Sequence, residues 1–204
     1  MNLRETPSST ISQTLFIVLL ETQMTVEFLS NIGMELFSSK NVWLLQTDDN
    51  ILGNLYFPID SQVFTFVGDE ASIEIQEVYN VGQGTDRVVK QLGSWKKNGE
   101  WTVEPLPLFE RRRDFMGYNF KAEALHEPPY AIANMDNLET GKDTKIGGIW
   151  GEIWHQTLEK TMNFSTLILP CPDRQWGSVD ENGSWTGVNN GLIQNKTQIG
   201  LLFL

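Results

Sequence analysis

A helix-period apolar stripe runs directly into a strand-like apolar run, and this junction constrains the fold more than any other stretch. Ile149, Trp150, Ile153, Trp154, Leu158 and Met162 recur at three-to-four-residue spacing. That spacing predicts a helix from about Gly147 to Met162 with one apolar face. Asp143 or Thr144 is placed to cap its start. The run Phe164-Ser165-Thr166-Leu167-Ile168-Leu169-Pro170 follows at once. Its apolar character suits a strand inside a parallel sheet. Helix followed by buried strand is the grammar of an α/β layer.

The neighbouring stretches extend the pattern. Tyr118, Phe120, Ala122 and Ala124 alternate with Asn119, Lys121 and Glu123, which predicts a strand with one buried face that stops before Pro128-Pro129. Met135 to Lys145 is a polar loop. Trp185-Thr186-Gly187 opens a second helix, with Ser184 or Thr186 as cap and Leu192 and Ile193 facing inward. Ile199 to Leu204 is a further buried strand. The loop Asp173-Arg174-Gln175-Trp176-Gly177 therefore leaves the carboxyl end of a strand, where open α/β sheets bind ligands. Trp176 there either lids a small ligand or packs on its own loop.

The first half reads as a separate α/β piece. Residues 1–10 are polar and loose. Phe28, Leu29, Ile32 and Leu36 predict a helix between Thr25 and Phe37, and Val42 to Leu45 a buried strand. Val63–Val67 and Ile73–Tyr79 are strands. Lys97-Asn98-Gly99 forms a hairpin turn that sets Trp95 across from Trp101. Asp48-Asp49 is a solvated turn rather than a metal pair. Pro105 and Pro107 stiffen a linker.

Charge is uneven. The net value is −11, with 15 acids against 6 bases over residues 1–110 and 11 against 9 over 111–204. The step falls at Arg111-Arg112-Arg113, a solvated entry to the next strand and the boundary between domains 1–110 and 111–204. An acidic chain does not suit nucleic acid, so none is expected as a partner. Cys171 is the one cysteine, so no disulfide forms within the chain, which leans toward a reducing compartment. Three glycosylation sequons, at Asn163, Asn182 and Asn195, lean the other way, toward a secreted surface. Leu15 to Leu20 is too short for a membrane helix and lacks basic flanks, so it reads as a buried helix or strand. His126 and His155 have no acidic or thiol cluster around them, so neither a metal nor a cofactor is expected. No nucleophile, base and orienting group assemble, so the chain is not read as an enzyme.

The order of these pieces resembles the ionotropic glutamate receptors, and most of all their divergent arthropod chemosensory relatives. Residues 118–204 resemble the first part of the ligand-binding domain through Glu127-Pro128-Pro129-Tyr130, Gly148-Ile149-Trp150-Gly151-Glu152-Ile153 and Pro172-Asp173-Arg174-Gln175-Trp176-Gly177. Trp185-Thr186-Gly187-Val188, Gly191-Leu192-Ile193 and Gln198-Ile199-Gly200 continue the likeness. Arg111 to Gly117 and Ile75 to Trp95 resemble the stretch before that domain.

The resemblance implies a periplasmic-binding-protein-like α/β lobe, incomplete, preceded by a partial α/β amino-terminal domain. It implies a small ligand (an amino acid, acid, amine or odorant) covered by Trp176, and partner subunits in a tetramer. It places the parent receptor at the plasma membrane, on its extracellular side, with the membrane segments and second lobe outside this sequence. The family's ligand-anchoring arginine follows the strand that begins at Ile199, and is expected beyond Leu204. The family's Asp before that strand is Gln198 here, and Phe203 stands where a Pro is expected. The alternative reading is a soluble small-molecule-binding or decoy module with no channel activity.

Overall fold

The computed structural model describes residues 14–19, 23–31, 36–47, 52–53, 55–103, 106–134, 136–137, 140 and 145–201. Expectations for residues 1–10, Ile32, Asp48, Asp49, Pro105, Asp143, Thr144 and 202–204 fall outside these, as does most of the loop from Met135 to Lys145. The chain is of α/β class and divides into two compact units, Met1–Arg111 and Arg112–Leu204.

The first unit contains one sheet in strand order β1-β2-β3-β4-β5-β6. Its strands are β1 (Thr14–Leu19), β2 (Asn41–Gln46), β3 (Gln62–Gly68), β4 (Ser72–Asn80), β5 (Arg87–Lys96) and β6 (Trp101–Val103). Helix α1 (Gln23–Asn31) joins β1 to β2. The first three strands are parallel and the last four form an antiparallel meander. The two hairpins follow from their turn residues. Asp69 Oδ1 accepts the Ala71 and Ser72 N–H groups at 2.8 and 3.0 Å, and Asn98 Oδ1 accepts the Glu100 N–H at 3.0 Å. Trp95 and Trp101 pair across β5 and β6 as expected.

The two faces of this sheet differ. One carries Trp43, Leu45, Val63 and Val78, packed under Leu29, Phe37, Leu52 and Phe57. Trp43 stacks on Phe16 with ring centres 4.3 Å apart and donates Nε1–H to the Leu36 carbonyl at 2.8 Å. The parallel connections step the same way from β1 to β3, and right-handed crossovers of one direction lie on one side of a sheet. The other face presents Leu15, Ile17, Val42, Leu44, Phe64 and Phe66, all half-buried or exposed. Three expectations are corrected here. Phe28 is 59% exposed because the buried side of α1 is Leu29. Leu36 is exposed too, its carbonyl and not its side chain serving the core. Arg111-Arg112-Arg113 is not a solvated entry, for only Arg113 is exposed. Arg112 is buried, and Arg111, the last residue of helix α2 (Leu108–Arg111), pairs with the fully buried Glu77.

The second unit contains a parallel sheet in order β8-β7-β9, with β7 (Tyr118–Ala124) between β8 (Phe164–Pro170) and β9 (Ile199–Leu201). A continuous helix joins β7 to β8: α3 (Gly148–Gly151), a π-helical segment (Glu152–Leu158) and α4 (Glu159–Thr161). Helix α5 (Gly187–Ile193) joins β8 to β9. The chain crosses β7 between the two connections, so the helices cover opposite faces. Ala122 and Ala124 on one face leave room for Trp150 and Trp154. Leu125, Cys171 and Val188 fill the other. Trp154 donates Nε1–H to Thr166 Oγ1 at 2.8 Å.

The wider π turn resets the helix phase. Gly151, His155 and Glu159 form the most buried row, whereas Ile149 and Ile153, expected in the core stripe, are 49% and 41% exposed. Ile193 is likewise 57% exposed, since Val188 and Gly191 face inward instead. The predicted one-faced burial of β7 also fails at its end, where Glu123 is buried beneath α5.

Candidate functional site

The carboxyl ends of β7 and β8 lie side by side because the two strands are parallel neighbours in register, Ala124 opposite Pro170. Leu125, His126 and Glu127 leave the first, and the loop through Arg174, Gln175, Trp176, Gly177 and Ser178 leaves the second. Between them opens a cleft of about 640 Å³ lined by these residues.

Asp173 organises the loop. Its Oδ2 accepts the Gly187 N–H at 2.7 Å, and its Oδ1 accepts Cys171 Sγ–H at 3.1 Å and the Gln175 N–H at 3.3 Å. Burial alone would raise its carboxyl; the donors Gly187, Cys171 and Gln175 outweigh this and hold it below the usual range. The carbonyls of Gln175 and Trp176 accept the Val188 and Asn189 N–H groups at 3.0 and 3.2 Å. Thr186 stands at the N-cap of α5 as expected, but its side chain makes no capping bond; the loop that carries Trp176 accepts the helix N–H groups instead. This close fit needs glycine. Gly187 has φ +66°, and a Cβ there would stand 2.2 Å from the Gln175 carbonyl oxygen.

Trp176 is half-buried and packs against Leu125, Cys171 and Val188 while lining the cleft. Its packing partners come from the end of β7 and from α5 as well as from its own loop. His126 lines the same cleft. Its Nδ1 accepts the Ala133 N–H at 3.1 Å, so the neutral ring carries its proton on Nε2. Glu127 exchanges backbone hydrogen bonds with Ala131 at 2.8 and 2.9 Å, and the Pro129 and Tyr130 carbonyls accept the first helix N–H groups from Ile149 and Trp150. Sequence reasoning weighed His126 only for metal. Its place beside a strand end was the available signal.

Glu123 and Cys171 lie close to Asp173. Burial raises the Glu123 carboxyl, eased by Lys196 and reinforced by Asp173. Burial, with the bond to Asp173, pushes the Cys171 thiol up to about 11, which makes it a poor nucleophile at neutral pH. Gln198, read only as a departure from the family pattern, ties β7 to β9. Its Oε1 accepts the Lys121 N–H at 2.8 Å and its Nε2 donates to Tyr118 Oη at 2.8 Å.

The three sequon asparagines are exposed. Asn163 donates Nδ2–H to Asp114 Oδ1 at 2.8 Å, Asn182 sits in the Asp180–Ser184 turn, and Asn195 follows α5. Among the described residues no cluster of His, Cys, Asp and Glu suits a metal ion, and no helix is long and apolar enough to cross a membrane. A second cleft, of about 490 Å³, lies in the first unit beside Gln46, Phe66 and Asp69.

Comparison with known proteins bears on the whole arrangement. Human glutamate receptor ionotropic, delta-2 is 26% identical over 126 residues, and its mouse and rat counterparts match to the same extent. The chain is similar to ionotropic glutamate receptors. The match covers 60% of this chain and 12% of each receptor, so the chain corresponds to a small part of such a protein. Among solved structures, the Drosophila muscle GluRIIB complex with glutamate aligns with 41% of this chain and 32% of that one, at 23% identity and a TM-score of 0.34. No family model matches.

Proposed function

We propose that this chain is an extracellular ligand-binding part of a ligand-gated cation channel of the ionotropic, chemosensory type. Residues 111–204 are the first part of the ligand-binding domain and residues 1–110 a partial amino-terminal domain. A small ligand, an amino acid, acid, amine or odorant, sits against Trp176. Asn163, Asn182 and Asn195 carry glycans. Other subunits complete a tetramer at the plasma membrane, through segments outside this sequence.

The observation that carries this reading is the cleft at the carboxyl ends of two parallel strands, walled by Trp176, in a chain similar to ionotropic glutamate receptors. Supporting it, Trp176 is anchored on one side by Leu125, Cys171 and Val188, so its ring is positioned before a ligand arrives. Ligand that binds a closed state better than an open one would drive the gate by that difference.

The test is a tryptophan-fluorescence titration of the chain with single amino acids, carboxylic acids and amines, repeated with Trp176→Phe. A saturable change that Trp176→Phe abolishes is expected for at least one class. No saturable response in any class, or one unchanged by the substitution, would overturn the reading. Channel membership is checked separately, by sequencing the transcript past the codon for Leu204 for membrane helices.

A further inference from the structure

We infer, on the ligand-binding reading of the Trp176 cleft, that His126 is a specificity residue of that cleft and selects a ligand carrying a carbonyl oxygen beside a flat apolar body. The ring is fixed before a ligand arrives. Its Nδ1 accepts the Ala133 N–H at 3.1 Å, and Ala133 is buried. Turning the ring over would put a C–H where that acceptor stands and leave a buried backbone donor unpaired. The same bond fixes the tautomer. The neutral ring therefore offers the cleft a donor, Nε2–H, and no second acceptor. His126 is exposed and shares the cleft lining with Trp176.

The rest of the lining gives that donor its weight. The backbone acceptors around it already have partners. The carbonyls of Gln175 and Trp176 accept the Val188 and Asn189 N–H groups at 3.0 and 3.2 Å. Those of Ser178 and Glu127 accept the Thr186 and Ala131 N–H groups, each at 2.9 Å. Gln175 Oε1 accepts the Thr186 hydroxyl at 3.2 Å. Glu127 and Arg174 bring one charge of each sign to the lining, so local side-chain charge favours neither sign of ligand. Trp176 supplies a flat apolar wall. A neutral donor beside an aromatic face pairs with a carbonyl oxygen. It cannot pair with an ammonium, which only donates. A ligand without an acceptor leaves the His126 Nε2–H unmatched, and a site built to make such a bond rejects that ligand.

Tryptophan-fluorescence titration of the full chain with three probes of one aromatic body tests this: phenylacetate, phenylacetamide and phenethylammonium. Both carbonyl probes should bind about three- to tenfold more tightly than the amine, the ratio one hydrogen bond supplies. Two variants separate the two ring nitrogens. His126→Asn keeps an acceptor near the Nδ1 position for Ala133 but has no donor at the Nε2 position, so the preference should vanish. His126→Gln sets an amide N–H near the Nε2 position and loses the Ala133 bond, so the preference should survive in part while Tm falls. A residue that only held the fold would give the reverse, with His126→Asn harmless. An amide that binds no better than the amine shows that charge is read instead, and overturns the inference. So does a carbonyl preference that persists in His126→Asn, or a Trp176 response to other ligands with none to either carbonyl probe. These results leave Trp176 a ligand contact, whereas silence from every amino acid, acid and amine removes that reading and this one together.

Discussion

Arg111 grips both carboxylate oxygens of Glu77, Nε to Oε2 at 3.0 Å and Nη2 to Oε1 at 3.1 Å, although 34 residues separate them. Glu77 is fully buried, so removing Arg111 takes two charge-assisted hydrogen bonds from a carboxylate inside the first unit. Arg111→Ala should cost about 3–5 kcal/mol in a urea titration. Arg111→Lys should recover only part of this, since an ammonium cannot match the two-pronged geometry. Equal stability for all three proteins would show the pair to be unimportant.

Glu123 should respond in the opposite sense. Its folded carboxyl is raised by burial, so its stabilising contribution is present below the unfolded carboxyl range and is lost as pH rises through the folded value. Glu123→Gln removes that loss. The variant should match the wild type near pH 4 and melt higher at pH 7. Calorimetry across this window decides it.

The Cys171 thiol offers a second titration. With a folded pKa of about 11 against about 8.5 for a free thiol, stability is full below the lower value. It falls as pH rises through the higher one, and Cys171→Ala should not show that fall. Absorbance at 240 nm should report thiolate only near pH 11 in the folded chain. A thiol that reacts rapidly with a disulfide reagent at pH 8 would contradict this.

Gly187→Ala should disturb the cleft more than its size suggests. The added methyl meets the Gln175 carbonyl oxygen at 2.2 Å and forces an L residue into φ +66°. A loss of about 2–3 kcal/mol is expected, with a shift in Trp176 fluorescence because Gln175 is its neighbour. Gly183→Ala, where nothing lies within 4 Å of the new atom, should cost only the backbone term.

Strands were legible wherever one chain segment determines its own burial. Val42 to Leu45 needed only its own apolar run, Ile73 to Tyr79 its own alternation, and Asn98-Gly99 its own turn chemistry. The place of Trp176 at a strand's carboxyl end was legible from the apolar strand before it. The failures came where a distant residue decides. Arg111 and Arg112 look like a solvated run until Glu77 is folded under the first of them. Glu123 looks outward until Gly191, lacking a side chain, lets α5 settle on it. Ile149 and Ile153 fit an ideal helical period, and the π turn, which the residues did not reveal, moved Gly151, His155 and Glu159 into their place. Gln198 looked like a departure and proved to be a staple.

That staple also orders events during synthesis. The middle strand of the second sheet is the first of the three to leave the ribosome and the last to be completed, for Tyr118 and Gln198 lie 80 residues apart. At about 5–20 residues per second, one edge of β7 waits roughly 4–16 s for its second neighbour. During that interval the strand that leads into the Trp176 cleft is an open edge, so aggregation of the nascent chain competes with completion of that cleft.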